Sequence, residues 1–178
     1  RRAEDLYESL NESQQEIAHQ LFLRLVTLGE HTADTRRRAK QRELMSISNV
    51  SREEIEKVLT QFGDFRLLAF DRDSITREPT IEIAHEALIR GWQRLRDWLD
   101  DGREDLRMQS QLAKMVEDWV NAGRDESYLL RGNRLEQFKE WGQTTKLNLM
   151  ALERELLDAS IRQEEKERRP AQEENNCL

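Results

Sequence analysis

The chain has 178 residues, of which 37% are hydrophobic and 37% are charged, a length that suits one ordinary domain or two small ones. Its 29 basic and 36 acidic residues give a formal net charge of −7 and are spread evenly along the sequence. This distribution disfavours binding to a polyanion, because a protein that binds phosphates needs a local excess of basic residues. Since the chain contains only two prolines and seven glycines, it predicts long helices with short connections.

The N-terminal part of the chain predicts one complete amphipathic helix. Residues 3–10 are typical of the end of a helix whose body lies upstream. Asn11 or Ser13 can then cap a helix with a stripe of isoleucine and leucine side chains, which we expect to end at Gly29. The polar and strongly basic segment 31–42 that follows predicts a loop or an exposed edge strand.

A second amphipathic helix begins after Ser51, which opens the capping-box pattern S-R-E-E with Glu54 at the third helical position. Gly63 ends this helix. Two strand-like runs, residues 65–70 and 80–84, are joined by a polar turn and predict a β-hairpin. The chain then returns to a helix, whose apolar side carries Leu88, Trp92, Leu95 and Leu99.

The order helix, helix and two-stranded hairpin is typical of a winged helix-turn-helix, which we place at residues 11–100 with the last helix closing the domain. Residues 101–162 predict a three-helix extension. The charged run after Ile161 lacks an apolar stripe, so residues 163–178, which include Pro170, predict a disordered linker or tail. The predicted fold class is therefore mostly α.

Disulfide and membrane signals are absent from the sequence. The single Cys177 has no partner for an internal disulfide, and no apolar run approaches the roughly 20 residues that a membrane span requires. We therefore expect a cytoplasmic protein without a membrane partner. Because the sequence begins at Arg1 without a methionine, we also expect it to be a segment of a longer protein.

The most specific motif is I-A-H-E-A-L-I-R-G-W-Q-R-L-R-D-W-L, at residues 83–99. It resembles the winged-helix portion of the bacterial STAND NTPases, in the group that is often joined to WD40 repeats. The similarity extends to both sides and covers residues 12–160. The supporting segments are F-L-R-L-V-T-L-G-E (22–30), D-T-R-R-R (34–38), R-E-D-L-R (103–107), A-G-R-D-E-S-Y-L-L-R-G-N-R-L (122–135) and L-E-R-E-L-L-D-A-S (152–160).

This resemblance implies a nucleotide switch. STAND proteins hold ADP in a closed state and open on exchange for ATP, with the winged helix folded back over the nucleotide. In related proteins a Met-His-Asp signature places its histidine near the phosphates. The corresponding triplet here is Ala84-His85-Glu86, which differs from the signature at two of three positions. The resemblance thus implies that His85 senses the nucleotide phosphate in the full protein.

His85 also falls at the predicted junction of a strand and a helix, where a side chain projects from a domain edge and an imidazole can donate to a phosphate oxygen. The alternative is a histidine that merely caps or packs at a strand end. His19 and His31 are isolated in sequence, and three histidines and one cysteine provide no metal-ligand spacing. No metal site is predicted.

The basic segment contains five cations, and three interpretations of it remain open. It could bind DNA phosphates beside a helix-turn-helix, contact the NTPase core or its nucleotide, or form a solvated loop. The predicted recognition helix, residues 52–62, is rich in glutamate, which disfavours DNA. The cations are Arg36, Arg37, Arg38, Lys40 and Arg42, of which the first three are the candidate phosphate or core contacts.

The sequence has no G-x-x-x-x-G-K-[ST] loop and no set of catalytic residues. We expect it not to be an enzyme and to bind no cofactor by itself, whereas the parent protein is an ATPase that binds ADP or ATP. The leading hypothesis is a regulatory module that couples an upstream NTPase core to a downstream repeat domain and that exposes surfaces for oligomerisation on activation. The alternative is a winged-helix DNA-binding regulator with a helical dimerisation region.

Overall fold

The computed structural model describes residues 1–176, except for the side chains of residues 171 and 172. The described chain is mostly helical, as predicted, and its short strands form two small antiparallel sheets. It divides into two compact units, residues 1–107 and the residues from 108 onward. Cys177, with the end of the predicted tail, lies outside the described residues.

Most of the described residues lie in helices, and the strands are confined to the first unit. The helices are α1 (Arg2–Ser9), α2 (Glu12–Leu23), α3 (Gln41–Met45), α4 (Arg52–Asp64), α5 (Ala87–Gly91), α6 (Gln93–Asp101), α7 (Arg103–Asn121), α8 (Gly132–Thr144) and α9 (Ala151–Asn176). The strands are β1 (Val26–Thr27), β2 (Thr35–Arg36), β3 (Ala39–Lys40), β4 (Leu68–Arg72) and β5 (Pro79–Ile83).

Helix α2 is shorter than the sequence predicts. It ends at Leu23 rather than at Gly29, and β1 follows, paired antiparallel with β2. Val26 and Thr27 are β-branched and favour an extended backbone, and the carbonyl of Leu25 accepts a hydrogen bond from the N–H of Arg37 at 2.9 Å. After Leu23 the chain therefore passes through a turn into β1, in which Val26 is buried and Thr27 is exposed.

The predicted hairpin is one part of a three-stranded sheet with the order β3-β5-β4. Strand β3 lies within the basic segment and pairs antiparallel with β5, with Ala39 opposite Ile81. The segment thus contains two short strands, the exposed β2 and the edge strand β3, but β3 is not exposed throughout, because the side chain of Ala39 is fully buried.

Trp92 interrupts the helix that is predicted after the hairpin. Its backbone is extended, with φ −96° and ψ 102°, so the segment forms α5 and α6 instead of one helix. The preceding Gly91 lowers the helical preference at this point. The break lets the Trp92 ring enter the core of the first unit, where it lies edge-on to Phe22 at 5.1 Å and to Trp98 at 5.4 Å.

Helix α9 differs from the prediction at both ends. The leucines at 149, 152 and 156 predict an apolar stripe on the last helix, but the helix begins only at Ala151 and Leu152 is exposed. Its buried face carries Leu156 and Leu157. The helix continues through Pro170 to Asn176, where the sequence predicts disorder from residue 163. Side-chain pairs one turn apart support the charged run; they are Gln163–Glu167 at 3.3 Å and Glu164–Arg168 at 3.5 Å.

Glu153 caps the start of α9 from within the second unit. Its carboxylate is buried, and it accepts hydrogen bonds from the N–H of Met150 at 2.9 Å and from Gln109 Nε2 at 2.8 Å. We expect Glu153→Ala to lower the free energy of unfolding of this unit by about 1–3 kcal/mol, because two donors lose their acceptor. Chemical denaturation followed by circular dichroism measures this loss. The exposed Glu155→Ala is the control, and an equal loss in both variants would contradict the role of Glu153.

Among residues 1–176, no helix combines the length and the apolar character that spanning a lipid bilayer requires.

Candidate functional site

His85 lies between the last residue of β5 and the first turn of α5, at the predicted junction. Its backbone is held on both sides, because the N–H of Ala84 donates to the carbonyl of Leu67 at 3.0 Å and the carbonyl of His85 accepts from the N–H of Leu88 at 3.0 Å. The imidazole itself is exposed, and within residues 1–176 no hydrogen-bond partner is found for it. A fixed backbone thus presents a free donor and acceptor to the solvent.

Arg36 is the charged neighbour of this junction. Its Nη1 donates to the carbonyls of Ile83 and Ala84, each at 3.3 Å, and its Nε lies 3.9 Å from a carboxylate oxygen of Glu86. The guanidinium therefore contacts residues on both sides of His85. We call residues 84–86 the β5–α5 turn. Ile83 lies 47 positions after Arg36 in the chain, and the fold brings them together.

The other two candidate arginines have different surroundings. Arg37 donates to the carbonyl of Arg24 at 2.9 Å and to a carboxylate oxygen of Glu43, also at 2.9 Å. Arg38 pairs with Glu82 at 3.2 Å across the β3–β5 side of the sheet. Of the three arginines that the sequence singles out, only Arg36 lies against the β5–α5 turn.

Acidic side chains neutralise much of the basic segment. Besides the pair between Arg38 and Glu82, Glu78 lies 3.5 Å from Lys40 Nζ and 3.2 Å from Arg42 Nη1. The exposed face of α4 carries both signs of charge, since it presents Glu53 and Glu56 beside Arg52 and Lys57. Because these basic side chains are paired with carboxylates, the surface has a mixed charge and lacks the excess of basic residues that would attract nucleic acid.

Asp34 is a residue of this region that sequence analysis missed. Its side chain is only 4% exposed, and it accepts hydrogen bonds from Arg103 Nη2 at 3.0 Å and from the N–H of Gly29 at 2.9 Å. Burial by itself raises the pKa of the Asp34 carboxyl, but the hydrogen bonds and charge of Arg103, with the Gly29 N–H, more than offset it and lower that pKa below its ordinary value. A charged aspartate thus anchors the loop before β2.

The loop closes tightly over Gly29. A Cβ atom at this position would collide with the carbonyl oxygens of Thr32 and Ala33, so that only glycine fits. An aspartate five residues after a glycine is a weak local signal for such a loop. Its partner Arg103 lies 69 residues away in the chain, and no local pattern indicates that contact.

Across residues 1–176, no three histidine, cysteine, aspartate or glutamate side chains are placed to hold a metal ion. The arrangement at the β5–α5 turn offers two donor groups, the His85 imidazole and the Arg36 guanidinium, next to one carboxylate, Glu86. Such donors suit an anionic oxygen ligand such as a phosphate.

The family model described as Novel STAND NTPase 1, nSTAND1, matches residues 1–127. This match covers well over half of the chain, and it includes Asp34, Arg36, His85 and Arg103. Comparison with curated proteins and with solved structures gave no match.

Proposed function

The chain belongs to the nSTAND1 family, Novel STAND NTPase 1, and from this premise we propose that it is a regulatory module of a signal-transducing ATPase. It couples the nucleotide state of an upstream NTPase core to a downstream sensor, a repeat domain of the WD40 kind. The segment performs no catalysis and holds no nucleotide alone, and the parent protein works in the bacterial cytoplasm.

A winged helix-turn-helix at residues 11–100 is part of this proposal. The element order supports it: helix α2, strand β3, helices α3 and α4, and then the hairpin β4–β5 as the wing, with β3 joined to the sheet at β5. In this arrangement α6 closes the domain. The β5–α5 turn then lies where the wing returns to the helices.

The observation that carries the proposal is the exposed His85 on a fixed backbone, with Arg36 against the same turn. An imidazole in this position can donate to a phosphate oxygen of a nucleotide held by the core. The loss or gain of the terminal phosphate changes the negative charge that His85 faces, so the affinity of the turn for the core depends on whether ADP or ATP is bound.

The mechanism follows from this difference in affinity. His85 and Arg36 stabilise the closed ADP form, in which the module lies over the nucleotide. When ATP replaces ADP, the module swings away and exposes surfaces for oligomerisation. A ligand shifts such an equilibrium only by its differential affinity for the two states, so the histidine contact is the component to test.

The test uses the longer protein with its upstream core, as wild type and as His85→Ala. We expect the wild type to carry one ADP per chain and His85→Ala to release ADP about ten-fold to a hundred-fold faster, since a hydrogen bond to a charged group contributes about 1.5–3 kcal/mol. Nucleotide released on denaturation is quantified by chromatography, and exchange is followed with a fluorescent ADP analogue. The control is His31→Asn, because His31 is exposed and has φ 63°, which asparagine tolerates.

Two results would contradict the proposal. If wild type and His85→Ala released ADP at the same rate, His85 would have no contact with the nucleotide. Absence of nucleotide from both proteins would remove the NTPase context, and a salt-dependent shift of duplex DNA would then favour the DNA-binding regulator with a helical dimerisation region.

A further inference from the structure

A continuous set of polar contacts within the first unit connects the β5–α5 turn to the start of α7. It contains the two hydrogen bonds of Arg36 Nη1 to the carbonyls of Ile83 and Ala84. Its other end is the ion pair between Asp34 and Arg103 at 3.0 Å. Only Thr35 separates Asp34 from Arg36, so a short piece of extended chain joins the two contacts.

The backbone of Arg36 has a fixed position of its own. Strand β2 pairs with β1 so that Arg36 lies opposite Val26 and Thr35 lies opposite Thr27. The next residue, Arg37, donates its N–H to the carbonyl of Leu25 at 2.9 Å. The strand that carries the Arg36 side chain is therefore held against β1 and the turn before it, and a shift of β2 moves the guanidinium.

The Asp34–Arg103 pair fixes the other end of this strand. The side chain of Asp34 is 4% exposed, and Arg103 contacts both of its carboxylate oxygens, at 3.3 and 3.0 Å. A bidentate pair of this kind fixes geometry as well as charge. Arg103 is the first residue of α7, so the pair ties the chain before β2 to the beginning of a helix that continues to Asn121.

We propose that Arg36 is a positioning residue for His85, and that the Asp34–Arg103 pair holds Arg36 in place so that a displacement of Arg103 moves the β5–α5 turn. The consequence for ADP retention rests on the proposed function, whereas the positional coupling does not. Through this coupling, Arg103 at the beginning of α7 influences the position of His85 although Arg103 itself contacts no ligand.

The contacts of Arg36 differ in weight. Its approach to Glu86 is 3.9 Å between exposed side chains, and such a surface pair contributes little. The two bonds to the carbonyls of Ile83 and Ala84 are the stronger contacts, and they hold the start of the turn together with the bond from the Ala84 N–H to the Leu67 carbonyl. Arg38 provides a matched control: it is also exposed and pairs with Glu82, but no bond from it to the carbonyls of the turn is found among the described residues.

Amide hydrogen exchange of the chain, read by NMR, tests the role of Arg36 without any nucleotide. The reporters are the N–H groups of Leu88 and Ile89, which donate to the carbonyls of His85 and Glu86. We expect Arg36→Gln to accelerate their exchange about five-fold, as the loss of one or two hydrogen bonds implies, and Arg38→Gln to leave it unchanged. Equal rates in wild type and Arg36→Gln would overturn the positioning role.

Asp34→Asn tests the connection to α7 with the same reporters. We expect faster exchange of the Leu88 and Ile89 amides, while the amides in the middle of α4, such as those of Val58 and Leu59, keep their protection and show that the variant is folded. Unchanged reporters in folded Asp34→Asn would overturn the coupling. If instead the exchange effects are found but Arg36→Gln in the longer protein retains ADP like the wild type, the positional coupling stands and the proposed function fails.

Discussion

Trp92→Ala lowers the free energy of unfolding of the first unit by about 3–5 kcal/mol, as we expect for loss of a large buried aromatic side chain. Trp92 is 2% exposed, and its ring contacts Phe22, Trp98 and Tyr7 edge-on. Removing the indole leaves a cavity among rings that cannot collapse fully. Guanidinium denaturation followed by circular dichroism measures the change at constant m-value.

A second substitution at Trp92 separates packing from hydrogen bonding. The indole Nε1 donates to Glu4 Oε2 at 2.7 Å, and Trp92→Phe keeps an aromatic ring but removes this donor, so we expect a smaller loss of about 1–2 kcal/mol. The control is Ile75→Ala in the β4–β5 hairpin, since Ile75 is 89% exposed and its change should stay within about 0.5 kcal/mol. If Trp92→Ala lowered the free energy of unfolding by no more than Ile75→Ala does, the claim that the Trp92 ring stabilises the core of the first unit would be refuted.

Asp34→Ala is expected to cost about 2–4 kcal/mol of stability at neutral pH, since breaking a buried pair from one side costs more than the pair contributes. The substitution removes the acceptor of Arg103 and of the Gly29 N–H. Arg103 is 28% exposed, so water relieves part of the penalty, and we place the value below that of a fully buried pair. Asp100→Ala is the matched control, because Asp100 approaches the same guanidinium at 3.7 Å but is 60% exposed.

The contribution of Asp34 depends on pH in a defined direction. Because the pKa of its carboxyl in the folded chain lies below the ordinary value of 3.8, the unfolded chain binds the proton more readily, and folding is favoured wherever the carboxyl is ionised. The stabilisation is complete above about pH 5 and is lost as the pH falls below the ordinary pKa toward the folded one. Unfolding curves of wild type and Asp34→Ala should thus converge in acid, and a difference independent of pH would contradict the ionised pair.

Local sequence predicts the elements whose stabilising contacts are local. Ser51 accepts a hydrogen bond from the N–H of Glu54 at 3.2 Å, as the capping pattern indicates, and the apolar residues of α4 are buried. The strand-to-helix junction at His85 is also predictable from local sequence, because the alternating pattern of a strand ends there and the apolar spacing of a helix begins.

Elements that depend on distant partners were not predictable in this way. Val26 follows the apolar stripe of α2 without a break in the sequence, and only the pairing of β1 with β2 decides that it is extended. In the same way, the basic segment contains Arg36, Arg37 and Arg38 in a row, and sequence does not distinguish them. Their different roles come from the carbonyls and carboxylates that the fold supplies to each.

The antiparallel match of β3 with β5 has a consequence for how the chain avoids misfolding. Ala39 lies opposite Ile81, and one position outward Arg38 meets Glu82. A slip by one residue would turn Ala39 to the outside and bring a charged side chain against the core, because side chains alternate between the faces of a strand. The burial of Ala39, with the Arg38–Glu82 pair beside it, thus favours one register for two strands that are paired at only two positions and lie far apart in the chain.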